Sequence, residues 1–157
     1  MKRGWNLKSG TKDGDRGRRL GGQAHSREHL REIGKLGWKA LVANRGLTEA
    51  HQKLREYRLA HPSELEQIVM DALADIPHER EQLLTDGQVF GYADFVIGSV
   101  ALEVDGFAAH GKLTPRADEY AERKEYLCDL SGLELVRLPE DAVRDGSFQQ
   151  IIAEVIG

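Results

Sequence analysis

Between Phe90 and Asp105 the chain carries two apolar runs, Phe90–Ile97 and Val100–Asp105, split by the pair Gly98-Ser99. Two β-prone segments joined by two residues, the first a glycine, meet the requirement of a hairpin with a type II′ turn, because glycine tolerates the positive φ of the first central position. Ile97 then pairs with Val100, and the same register sets Asp94 opposite Glu103. Side chains alternate across a sheet, so Asp105, two residues beyond Glu103, belongs on the same face, with Ala93, Phe95, Ile97, Leu102 and Val104 on the other. A third run, Gln82–Thr85, ends in the turn signal Asp86-Gly87, and the three together read as a meander.

Helical patterns flank this meander. Ser63-Glu64-Leu65-Glu66 follows a proline and has the spacing at which a serine and a glutamate satisfy each other's backbone amides at a helix start. Leu65, Ile68, Val69, Ala72, Leu73 and Ile76 continue it with one apolar face. After the meander, Pro115 to Leu130 predicts a helix with Ala117, Tyr120, Ala121, Leu127 and Cys128 inside, stopped by Gly132. Leu133–Leu138 is a fourth strand, and Phe148, Ile151, Ile152 and Val155 predict a last helix capped by Ser147. The expected fold class is α/β.

Charge divides the chain. Residues 1–60 hold 15 Lys+Arg against 6 Asp+Glu, and residues 61–157 hold 7 against 20. A basic arm for a polyanion joined to an acidic body follows from that imbalance. The arm, residues 1–61, begins with a Gly-, Lys- and Arg-rich stretch to about Gly22 that lacks apolar periodicity. A helix from Ser26 follows, with Leu30, Ile33, Trp38 and Leu41 as its apolar side. A second starts near Thr48, with Ala50, Leu54 and Tyr57 inward and Lys53, Arg55 and Arg58 outward, and His61-Pro62 ends it. Residues 62–157 form the second domain. No run of eighteen apolar residues could span a bilayer, and the basic start has no apolar segment behind it, so no membrane association and a cytoplasmic location are expected. The single Cys128 excludes an internal disulfide and a cysteine-based zinc site.

Two carboxylates placed directly opposite each other lie about 5 Å apart between Cβ atoms and repel. A hard divalent cation relieves that repulsion, because Mg²⁺ takes oxygen ligands and combines one or two carboxylates with water and substrate phosphate. Asp94 and Glu103 are therefore the candidate metal ligands. Glu64, in a first helical turn, is a weaker candidate, since the helix dipole alone accounts for an acid there. His110, five residues beyond Asp105, is a candidate general acid or base by its near-neutral pKa.

In order, Glu64, Asp94-Phe95-Val96, Glu103-Val104-Asp105-Gly106, His110, Asp118, Arg123, and Gly132 before Leu135-Val136-Arg137 resemble the very-short-patch-repair-like branch of the restriction-endonuclease superfamily, the PD-(D/E)XK nucleases. The resemblance covers about residues 62–145. It implies a core of helix, three-stranded meander, helix, strand and helix, with Mg²⁺-dependent hydrolysis of DNA phosphodiesters, in some members as homing endonucleases of phages and mobile elements. By motif it implies Asp94 and Glu103 as metal-binding acids, Glu64 as the first-helix acid and His110 as the histidine of this branch. Where the superfamily usually ends its motif Glu-x-Lys, this chain has Glu103-Val104-Asp105.

The expected activity is that of a metal-dependent DNA endonuclease, with Mg²⁺ (or Mn²⁺ in its place) on Asp94 and Glu103, and Asp105 or Glu64 orienting the attacking water. Arg16, Arg18, Arg19, Arg27, Arg31, Lys35 and Lys39 are the candidate phosphate contacts of the arm. The competing expectation is a DNA-binding module with a degenerate, inactive nuclease fold; an RNA nuclease is a third. Oligomeric state stays open, a homodimer included.

Overall fold

The computed structural model describes the backbone of residues 27–106 and 117–157, and the side chains of 32–106 and 118–157. It divides into two units, one ending at Ala50 and the other running from His51 to Gly157. The division falls inside a helix, eleven residues before the boundary expected at His61-Pro62.

In the first unit, α1 (Arg27–Arg45) runs through Gly34 and Gly37. It ends at Gly46, whose φ of 83° lets its amide reach back to Val42. Ile33, expected on an apolar side, is half exposed, as is Leu36. α2 (Leu47–Ala60) follows, and from His51 onward it belongs to the second unit.

That unit is built on a four-stranded sheet in the order β1 (Glu79–Thr85), β2 (Phe90–Ile97), β3 (Val100–Asp105), β4 (Glu134–Pro139). The first two pairings are antiparallel and the third is parallel. A parallel neighbour needs a crossover, which α4 (Ala117–Leu130) supplies. On one face, Phe95, Val100, Leu102, Val104 and Leu138 pack with residues of α3 (Glu64–Ala72), α5 (Glu140–Asp145) and α6 (Phe148–Ile156). On the other, Leu84, Ala93, Val96 and Ala101 pack with Leu127 and Cys128 of α4. The α/β class is the one expected, and so is the order of the elements apart from α5.

The hairpin register is also as expected, with Ile97 paired to Val100 and Phe95 to Leu102, and Gly98 takes φ 58° in the turn. Five details differ, the first being β4, which runs Glu134–Pro139 rather than Leu133–Leu138. β1 begins three residues earlier, at Glu79. α3 ends at Ala72, because Leu73 already has cap geometry and the chain turns through Ile76. The short helix α5, between β4 and α6, carries too few residues to show a period. Ser147 stands before α6 without a side-chain cap bond; its amide is instead held by Asp145 at 2.8 Å.

Candidate active site

The β1–β2 register is constant, with Arg80 opposite Phe95 and Gln82 opposite Ala93, so Glu81 lies opposite Asp94. At this pair the strands depart from ideal geometry. Glu81 has φ 51°, the one non-glycine residue with positive φ among those described. Such a conformation costs an L-residue about 1–3 kcal/mol and persists only when its surroundings enforce it. Here the enforcing group is Arg55, whose guanidinium donates to the carbonyls of Glu81 at 2.9 Å and Arg80 at 3.0 Å. The two-residue alternation slips at the same place. Ala93, expected beside Phe95, instead packs toward α4, as does Val96. Gly91 shares this side: a Cβ there would meet Leu127 at 3.5 Å. The slip turns Asp94 and Glu81 into the interior.

Asp94 and Glu103 are both buried, at 5% and 2% exposure. They line one open cavity of about 470 Å³ with Arg58, Glu66, Tyr120 and Arg144. Asp94 Oδ2 accepts from the Val104 amide at 2.8 Å, one step beyond the last β2–β3 ladder pair. Burial first, then the Glu103 charge, push the Asp94 carboxyl well above the ordinary carboxylate range; the Val104 amide and Lys124 oppose the shift without cancelling it. One oxygen each from Glu66, Glu81 and Asp94 lies within 4.8 Å of the others, close enough for a single metal ion to meet all three. The donors are hard carboxylate oxygens, which suit Mg²⁺ or Mn²⁺.

Two cations answer these acids. Lys124, 3% exposed, pairs with Glu103 at 3.0 Å and donates to the Tyr92 carbonyl. Burial opposes its charge, but Glu103, Tyr120 and Asp94 outweigh burial and hold its pKa above the usual lysine value. Arg58 donates from Nε to Glu81 and lies 3.5 Å from Asp94 through Nη2, over the ring of Tyr92. The four carboxyl groups of Glu66, Glu81, Asp94 and Glu103 thus outnumber the two cations paired with them.

The remaining expected residues fall elsewhere. Glu64 is exposed at the cavity rim and pairs with Arg144 at 3.4 Å; the first-turn acid that reaches Asp94 is Glu66. Asp105 is held by Arg137 of β4 at 3.0 Å. His110 lies outside the described residues, as do Arg16, Arg18 and Arg19; the side chains of Arg27 and Arg31 also fall outside them. Lys35 and Lys39 are exposed on α1, with Lys35 on Glu32 at 3.0 Å.

Sequence reasoning passed over Glu66, Glu81, Lys124 and Arg58, and three of them carried a signal. Lys124 stands within the buried stripe of α4, between Tyr120-Ala121 and Leu127-Cys128. Arg58 follows Leu54 by four residues and is half-buried against Glu81, so it is not an outward residue as expected; Arg55 is exposed as expected, although its guanidinium reaches the Glu81 carbonyl. Tyr57, expected inside, is 62% exposed and stacks on His61. Glu66 does form the expected reciprocal cap, accepting from the Ser63 amide at 2.6 Å while its own amide reaches Ser63 Oγ at 3.2 Å. That cap also fixes its carboxylate near Asp94. Glu81 gave no signal, because its left-handed backbone has no mark in the sequence. No family model, curated protein or solved structure matches the chain, and the site's chemistry rests on its own geometry. No helix among the described residues is long and apolar enough to cross a membrane.

Proposed function

We propose that the chain is a metal-dependent DNA endonuclease of the restriction-endonuclease-like type. The observation that carries this reading is the burial of Asp94 and Glu103 together, at the floor of an open cavity, with more carboxylates than nearby cations. Anions gathered against their own repulsion reduce stability, which points to a use for them.

Asp94 with Glu66 and Glu81 would hold Mg²⁺, which when bound polarises a phosphate oxygen and lowers the pKa of water; Glu103, the other expected ligand, is not among those three and stands beside them on Lys124. The chain's own residues supply the rest. Lys124 fixes Glu103 and stays charged. Tyr120 keeps its phenolic proton, because burial raises its pKa against the pull of Lys124, and can donate to an oxygen in the cavity. Arg58 lines the cavity as a cationic group able to attract a phosphate. The basic first sixty residues give affinity for DNA without selecting a sequence.

Supercoiled plasmid incubated with Mg²⁺ tests the reading. Wild type is expected to nick or linearise it, and Asp94→Ala and Glu103→Ala to lower the rate by about 100-fold or more, since even outer-shell changes at metal sites cost 10–100-fold. Salt-sensitive DNA binding with no metal-dependent cleavage in wild type would replace the enzyme with the non-catalytic DNA-binding module.

A further inference from the structure

The guanidinium of Arg58 bridges two of the three carboxylates that converge in the cavity. Its Nε bonds Glu81 Oε2, and its Nη2 lies 3.5 Å from Asp94 Oδ1. The two ends are unequal. Charge-assisted N–H···O bonds are usually about 2.7–2.9 Å long, so the Asp94 end is loose. Asp94 Oδ2 is meanwhile fixed by the Val104 amide, which leaves Oδ1, on the Arg58 side, as the oxygen able to exchange partners. Arg58 itself is 37% exposed and lines the cavity, so an outward path is open to it.

We propose that Arg58 is the resident counter-ion of the Glu81–Asp94 pair and gives up its place between them to a divalent cation. This rests on the metal-binding reading above and adds a competitor to it. A guanidinium cannot surrender its proton at any pH the fold survives, so it can vacate the site only by moving. A univalent group spread over two acids is then replaced by an ion of twice the charge. Arg58 is a positioning residue under this proposal: it keeps the carboxylates apart and aimed while the site holds no metal.

Calorimetric titration of the full chain with Mn²⁺ tests it on wild type, Arg58→Gln and Arg144→Gln. Arg144 is a charge-matched control on the same cavity, paired with Glu64 and Glu140 at the rim. Arg58→Gln is expected to bind Mn²⁺ about tenfold more tightly than wild type, a coupling of ordinary size for two ligands that compete. Arg144→Gln is expected to change affinity by less than about twofold, as exposed charges do. Unchanged or weaker binding in Arg58→Gln, an equal gain in both variants, or no Mn²⁺ binding by any of them overturns the proposal. If Arg58→Gln does not fold, Arg58→Met carries the same test, because it keeps the apolar stem and removes the charge; a gain of several-fold supports displacement, and no gain overturns it. Plasmid cleavage by the same proteins separates the two readings: tighter Mn²⁺ binding without cleavage in any of them sinks the nuclease and keeps the counter-ion, while cleavage with unchanged Arg58→Gln affinity does the reverse.

Discussion

The two ends of the β2–β3 hairpin are made of the same strands and do opposite things. At the turn end, Phe95, Ile97, Val100 and Leu102 join an apolar cluster with α3, α5 and α6, and the backbone ladder is regular. At the open end, beginning one residue beyond the Phe95–Leu102 pair, Asp94 has turned its carboxylate to the Val104 amide, Glu103 is buried against Lys124, and the strand opposite carries a left-handed glutamate. The turn end lowers the free energy of the fold by removing apolar surface from water, at roughly 25 cal/mol per Å². The open end gathers like charges in a place of low dielectric, where they weaken the fold until something neutralises them. Apolar packing and buried charge are thus separated along one hairpin, within about a dozen residues.

The largest effect is expected at the open end, from Lys124→Met. Removing one partner of a buried ion pair strands the other, at a cost of about 3–5 kcal/mol. Urea unfolding of the metal-free chain measures it, and a loss below about 1 kcal/mol would mean that Glu103 has other compensation. Asp94→Asn should go the opposite way. An asparagine keeps an acceptor for the Val104 amide and removes a repelled charge, so the metal-free protein should gain about 1–2 kcal/mol at neutral pH, the usual size of a single stabilising substitution. The sign with pH follows from the raised pKa of Asp94 in the fold. Between the unfolded and the folded pKa the native state binds the extra proton, so this group's cost appears as pH rises through the folded value and vanishes below the unfolded one. The advantage of Asp94→Asn over wild type should therefore shrink as the pH is lowered toward 4. The smallest effect belongs to the turn end. Gly98→Ala places a Cβ on a backbone of φ 58° with no steric neighbour, so only the conformational cost of about 1 kcal/mol remains. It should leave metal binding and cleavage unchanged.

The same separation explains what could be read from the sequence. The hairpin register followed from Gly98-Ser99 and the apolar runs around it, because turn chemistry and alternation are local. The reciprocal cap of α3 was legible for the same reason. Asp94 and Glu103 as cavity neighbours came from that register, although the alternation that placed them slips beside Asp94. What escaped is long-range. Arg58 and Arg55 lie more than twenty residues from the carbonyls and carboxylates they bind, so no window along the chain shows the contact. Lys124 shows its burial by its place in the stripe of α4 but not its partner, Glu103, which lies twenty-one residues away. Glu64 and Glu66 both begin the same helix, and only the tertiary arrangement distinguishes the rim residue from the one beside Asp94.

The central claim, that the acids at the open end await a divalent cation, is tested most directly by thermal unfolding of wild type and Asp94→Asn with and without millimolar Mn²⁺. The account predicts that Asp94→Asn melts higher than wild type without metal, and that Mn²⁺ raises the wild-type midpoint by several degrees while leaving the variant's unmoved. A variant that melts lower than wild type in the absence of metal, or an equal response of both proteins to Mn²⁺, would contradict it.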